Sequence, residues 1–167
     1  MATRCNIELG NDRYVQATEW KDQLRIDIRE WETKNGKRMP TKKGISLPLN
    51  RWKMLVDSFD YLDQALVENN TYTTHVGGNV YASITTNSVC VDLRKNWLPP
   101  NQTEVVPTKK GITLRPMEYT KLKEAVSVIG DFVPELNTVV PCPFSYDHQN
   151  QLEFLRCSEC NPDGFTE

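Results

Sequence analysis

The 167-residue chain is 38% hydrophobic and 25% charged, with a formal net charge of −2. No apolar run is long enough to cross a membrane, and the opening Met1-Ala2-Thr3-Arg4-Cys5-Asn6 lacks the apolar core of a signal peptide, so the reading is of an intracellular globular protein. Five cysteines in such a chain do not suggest a disulfide framework, and the Asn-x-Thr sequons at Asn69 and Asn101 are read as chance.

Taken in order, Cys5 to Leu9 carries apolar Ile7 and Leu9 and reads as a short strand, closed by the turn signal Gly10-Asn11-Asp12. Tyr14 to Trp20 reads as extended. Leu24 to Arg29 alternates apolar with charged, which places Leu24, Ile26 and Ile28 inward and Arg25, Asp27 and Arg29 outward on a half-buried strand. Asn35-Gly36 is a hairpin dipeptide. The next strand runs into Gly44-Ile45-Ser46-Leu47, and Pro48 opens a helix whose apolar stripe is Trp52, Leu55, Val56, Phe59, Leu62 and Leu66.

The string Pro40-Thr41-Lys42-Lys43-Gly44-Ile45 recurs as Pro107-Thr108-Lys109-Lys110-Gly111-Ile112, 67 residues later, and marks an internal duplication. Val89 to Arg94 matches Leu24 to Arg29 at an offset of 65, which implies two residues inserted near Pro99-Pro100-Asn101. A second helix opens at Pro116, with Tyr119 where the first has Trp52. The expected organisation is a first repeat at 1–68, a linker at 69–78, a second repeat at 79–138 and a tail at 139–167. Each repeat reads as a four-stranded antiparallel sheet followed by one helix, an α+β fold. A unit of this size buries a modest core, which pairing of the two units would relieve.

Charge is unevenly distributed. From Thr33 to Val56 there are seven basic residues and no acidic one, a surface able to steer a polyanion, or else a solvated lysine-rich loop.

Tyr14-Val15, the strand Ile26 to Trp31, the run Lys42 to Leu47 and Trp52 together resemble the positive cofactor four (Sub1) family of transcriptional coactivators. The match covers residues 6 to 66. Residues 79 to 136 match less closely, through Val91 to Arg94, Lys109 to Leu114 and Tyr119. The resemblance implies a curved sheet with a carboxyl-terminal helix, dimeric pairing through helices and adjoining strands, and single-stranded or melted DNA bound across the sheet. It further implies a nuclear protein working with the transcription machinery or in DNA repair, without sequence preference. A tandem copy then forms an intramolecular pseudo-dimer, although two chains pairing their matching units is the open alternative.

The resemblance assigns Trp20 to base stacking and Lys21 to phosphate, Arg29 to the binding strand, Trp31 to a neighbouring aromatic position, and Lys42 and Lys43 to phosphates. Stacking contributes about 1–3 kcal/mol per base. Trp20 and Trp31 could instead belong to the core, and Arg29 could pair with a cross-strand acid. Asp22 and Gln23 stand where the family often carries Gly and Lys. In the second unit Thr85 and Thr86 are aligned with Trp20 and Lys21, and Asn96 with Trp31. Arg94, Lys109 and Lys110 persist there, and Trp97 is a candidate substitute one position along. The second unit is expected to keep phosphate contacts and lose stacking.

The tail holds Cys142, His148, Cys157 and Cys160. The Cys157-x-x-Cys160 pair with an upstream Cys and His could complete a tetrahedral zinc site, although the first spacing is irregular. The alternatives are an acidic tail with free thiols, or Cys142 packed under the second helix. No phosphate-cradling glycine loop or catalytic constellation is apparent, so no enzyme and no required cofactor are expected. A protein-interaction adaptor and an RNA-binding variant remain the competing readings.

Overall fold

A computed structural model describes residues 2–145, 148 and 151–164. Strands β1 (Ala2–Gly10), β2 (Arg13–Trp20), β3 (Gln23–Lys34) and β4 (Lys37–Pro48) form one antiparallel meander. Helices α1 (Leu49–Asp57) and α2 (Phe59–Glu68) follow. Strands β5 (Tyr72–Gly77), β6 (Val80–Ile84), β7 (Val91–Trp97) and β8 (Val106–Leu114) form a second meander, followed by α3 (Pro116–Phe132). Two short 3-10 turns and α4 (Gln151–Arg156) make up the described tail. The α+β architecture of two sheet-and-helix units matches the expectation.

Alternation sets the buried faces. Val15, Ala17, Ile26, Ile28 and Leu47 are all but inaccessible, and Ala82, Ile84, Val91, Leu93, Ile112 and Leu114 repeat them in the second sheet. The helices reach across between units: α3 lies mainly across β1 and β2, α1 touches β5 as well as its own β3 and β4, and α2 reaches β6. All these residues join one hydrophobic core, which includes Trp52 and Tyr119 from equivalent helix positions. Phe59 meets Tyr119 edge-on at 5.7 Å between ring centres, and the Tyr119 hydroxyl donates to Asp63 at 2.7 Å. The units therefore pair within the chain as a pseudo-dimer.

Three sequence expectations differ. The segment 69–78, read as a linker, contains β5, and only Asn69, Asn70 and Thr71 separate α2 from it. Gly78 and Asn79, at the end of that segment, are the left-handed pair of a two-residue hairpin turn, as Asn11 and Asp12 are in the first unit. The first helix is not continuous. At Ser58 the hydroxyl donates back to the Met54 carbonyl at 2.8 Å, separating α1 from α2, whereas the equivalent Ala125 lets α3 run unbroken.

The third difference is one of register. Glu8 pairs with Tyr14 and Gln16 with Asp27, while their counterparts pair His75 with Tyr81 and Ser83 with Asp92. Strands β5 and β6 thus stand 67 residues from β1 and β2, while β7 stands 65 from β3. The β6–β7 connection has lost two residues, and the β7–β8 loop regains them. Thr85 and Thr86 consequently correspond to Thr18 and Glu19. The hairpin tip that carries Trp20 and Lys21 has no second-unit equivalent.

Candidate nucleic-acid interface

The repeated hexapeptide builds the same bulge twice. Arg29 pairs with Gly44 and Trp31 with Pro40, leaving Thr41, Lys42 and Lys43 opposite Glu30 alone. The Thr41 hydroxyl donates to the Glu30 carbonyl at 2.8 Å and accepts the Lys43 amide at 3.1 Å. Thr108 does the same with Lys95 and Lys110, at 2.6 and 3.1 Å. Threonine is thus the bridge that holds each bulge, and the lysines are left pointing outward and exposed. The glycine answers a close approach: a Cβ on Gly44 would stand 2.7 Å from both the Arg29 Cγ and the Ile28 carbonyl. On Gly111 it would stand 2.6 Å from the Leu93 carbonyl.

Arg29 and Arg94 brace these bulges. The Arg29 guanidinium donates to the Thr41 carbonyl at 2.9 Å and to Asp27 at 3.1 Å. Arg94 repeats this on Thr108 and Asp92, each at 2.9 Å. Each arginine is therefore already paired, with an acid two residues along its own strand, and each is only about one-fifth exposed.

On the outer face of the first sheet, a concavity of about 360 Å³ is bordered by Gln16, Thr18, Trp20, Arg25, Asp27, Arg29, Trp31 and Ser46. Trp20 ends β2 with 55% of its surface exposed. Lys21 and Asp22 form a two-residue left-handed turn beside it, and the Lys21 ammonium sits 4.4 Å from the Trp20 ring centre. Trp31 lies half-buried on the same face, and its indole N–H is buried without a hydrogen-bond partner among the described residues.

Strands β4 and β8 lie beside each other where the two sheets meet. Along this seam runs a groove of about 590 Å³ lined by Arg25, Arg29, Lys42, Arg51, Lys95, Lys109 and Lys110. A second, of about 480 Å³, is bordered by Arg13, Lys42, Lys43, Arg94 and Lys109. Arg25 belongs to both the tryptophan face and the seam, and its guanidinium is held on Ser46 at 2.7 Å. Burial, and then the nearby Arg51, lowers the Arg25 pKa. Arg13, Arg25, Arg51 and Lys95 were not picked out from the sequence, because the seam is made by two segments far apart in the chain.

The second outer face presents Ser83, Cys90, Asp92, Arg94 and Asn96 at the matching positions. Trp97, offered as a substitute for Trp31, is 54% exposed but follows Asn96 directly, so it points to the opposite side of β7.

In the tail, one ligand atom each from Cys142, His148, Cys157 and Cys160 lies within 4.8 Å of all the others. The His148 Nε2 is 3.1 Å from the Cys160 sulfur. Three thiols and an imidazole at this spacing fit tetrahedral zinc. Burial pushes the Cys160 thiol up to about 12, helped by Cys157. Burial acts against Cys157 too, but backbone amides of Cys160 and Glu159 outweigh it and lower that thiol. Glu159, inside this Cys-x-x-Cys loop, accepts from Arg51 at 2.6 and 2.9 Å. The Gly78 amide donates to the Glu159 carbonyl at 2.8 Å.

The family profile match lies in the first unit. The family profile described as Transcriptional Coactivator p15 (PC4) matches residues 7–58. The Arabidopsis thaliana RNA polymerase II transcriptional coactivator KIWI is 40% identical over 62 residues, which is 37% of this chain and 56% of that protein. A Drosophila melanogaster RNA polymerase II transcriptional coactivator is 39% identical over 54 residues, or 32% of this chain and 49% of that one. The chain thus spans about half the length of the curated relatives it matches. A crystal structure of MoSub1 with single-stranded DNA aligns with 41% of this chain and 83% of its own, at 25% identity and a TM-score of 0.37. The match to the Transcriptional Coactivator p15 (PC4) profile thus lies within the first unit, across residues 7–58.

Proposed function

We propose that the chain is a non-enzymatic protein that binds single-stranded DNA without sequence preference, acting in the nucleus in RNA polymerase II transcription or DNA repair. One observation carries this reading: the face bearing Trp20 and Trp31 runs, through Arg25, into the basic seam built by both hexapeptides. Bases stack on Trp20 with Trp31 beside it, and Lys21, Lys42, Lys43, Lys109 and Lys110 receive phosphates. Arg29 and Arg94, each already paired with an aspartate, shape the lysine bulges and offer their remaining N–H groups. The second sheet extends the cationic track but does not stack. The Cys/His cluster holds a structural zinc ion through Cys142, His148, Cys157 and Cys160, which ties the tail to the second unit.

The test is tryptophan fluorescence with a thymine oligonucleotide and a matched duplex at two salt concentrations, for the native chain and Trp20→Ala. Salt-sensitive quenching that prefers the single strand and collapses in the variant is expected. No binding at low salt overturns the reading in favour of an adaptor that binds proteins. Equal quenching by a uracil oligonucleotide gives the RNA-binding variant.

A further inference from the structure

The contact between the units is not symmetric in charge, and the asymmetry bears on which surfaces can pair. Glu118, the third residue of α3, is completely buried against the β1–β2 hairpin of the other unit. It accepts from Asn11 at 2.5 Å and from Arg13 at 2.7 Å. Its pseudo-symmetric counterpart, the third residue of α1, is Arg51, which lies against the β5–β6 hairpin. The counterparts of Asn11 and Arg13 are Gly78 and Val80. Gly78 leaves room for Arg51, since a Cβ there would fall 2.0 Å from the Arg51 guanidinium and displace that side chain.

We propose that Glu118 and Arg51 form a pairing code that lets the first unit accept the second and reject another first unit, so that the chain closes on itself. Two first units brought together in this geometry would set Arg51 of each against Arg13 of the other, two cations with only Glu30, 3.7 Å from Arg13, in place of the buried Glu118 carboxylate. Two second units would bury Glu118 against Gly78 and Val80, which offer it no side-chain donor. Only the unlike pair satisfies both ends, and Glu159 completes it by neutralising Arg51 at 2.6 Å. A single-unit relative whose helix is built like α1 would be refused for the same reason. The code is independent of what the sheets bind.

Sedimentation of the full chain tests it. The native protein is expected at the 19.2 kDa mass of one chain across a wide concentration range. In Arg51→Glu/Glu118→Arg the intrachain contact becomes repulsive, while two first units become complementary, and the mass is expected to double with concentration. A native two-chain particle, or a folded double variant that stays single with an unchanged melting temperature, overturns the proposal. Should that variant not fold, Glu118→Arg is compared with Arg13→Glu/Glu118→Arg. Recovery of the melting temperature and single-chain mass in the second supports the code, and no recovery overturns it.

Discussion

Trp20 and Glu118 do opposite kinds of work with one side chain each. Trp20 is 55% exposed at the end of its strand, with the Lys21 ammonium over its ring, so Trp20→Ala should lower the melting temperature by only a few degrees. Oligonucleotide affinity should drop by the stacking of one base, about 1–3 kcal/mol, or roughly 5- to 150-fold in a fluorescence titration. Glu118 is the reverse. Burial alone would raise its pKa, but the Arg115 amide, Asn11 and Arg13 outweigh it and hold the carboxyl below its usual range. A carboxylate depressed by folding contributes stability fully above its unfolded pKa of about 4.3, and loses it as pH falls through the folded value. Thermal melts should therefore show stability declining as pH falls below that region, with a shallower decline in Glu118→Gln. Sequence reading singled out Trp20 through the family resemblance, which places an aromatic-lysine pair at this turn. It missed Glu118 and Arg51, whose partners are 105 and 108 residues away.

At the scale of an element, the hexapeptide strand is where sequence and structure agree most closely. Its recurrence pointed to a duplicated piece of structure, and both copies adopt the same threonine-bridged bulge. Gly44→Ala tests the close approach: with a Cβ at 2.7 Å from a carbonyl that cannot move freely, the melting transition should fall by about 1–3 kcal/mol of stability. Lys109→Ala/Lys110→Ala tests whether the second unit contributes phosphates. The slope of log affinity against log salt for a single strand should become shallower by about 1.4, since each lost phosphate contact removes about 0.7. An unchanged slope would restrict the interface to the first unit. Strand β5 was not legible, because Thr73, Thr74 and His75 blur the alternation and the following glycines imitate a linker. The lost hairpin tip was hidden too. A deletion of two residues and an insertion of two cancel over the length of the unit, and only strand register separates them.

For the whole molecule, the tail is the point of leverage. Its cluster lies beside the loop that grips Arg51 and the β5–β6 hairpin, so a strong chelator should lower the melting temperature, and Cys157→Ala should remove both the bound zinc and the sensitivity to chelation. Elemental analysis of the purified chain gives the direct check, with one zinc per chain expected and none in the variant. The four candidate ligands and their grouping into one tetrahedral set were legible in the sequence, but their position against the loop on Arg51 was not.

The reach of the helices between units has a further consequence, for descent. Each copy supplies the roof over its neighbour's sheet, so neither can be discarded without exposing the core of the one that remains. Selection for folding is then sufficient to retain the second copy, whether or not it touches a ligand. Freed from that duty, it could shed the aromatic hairpin and keep the parts that hold the molecule closed. Shelter of the core thus needs both copies, whatever either one binds.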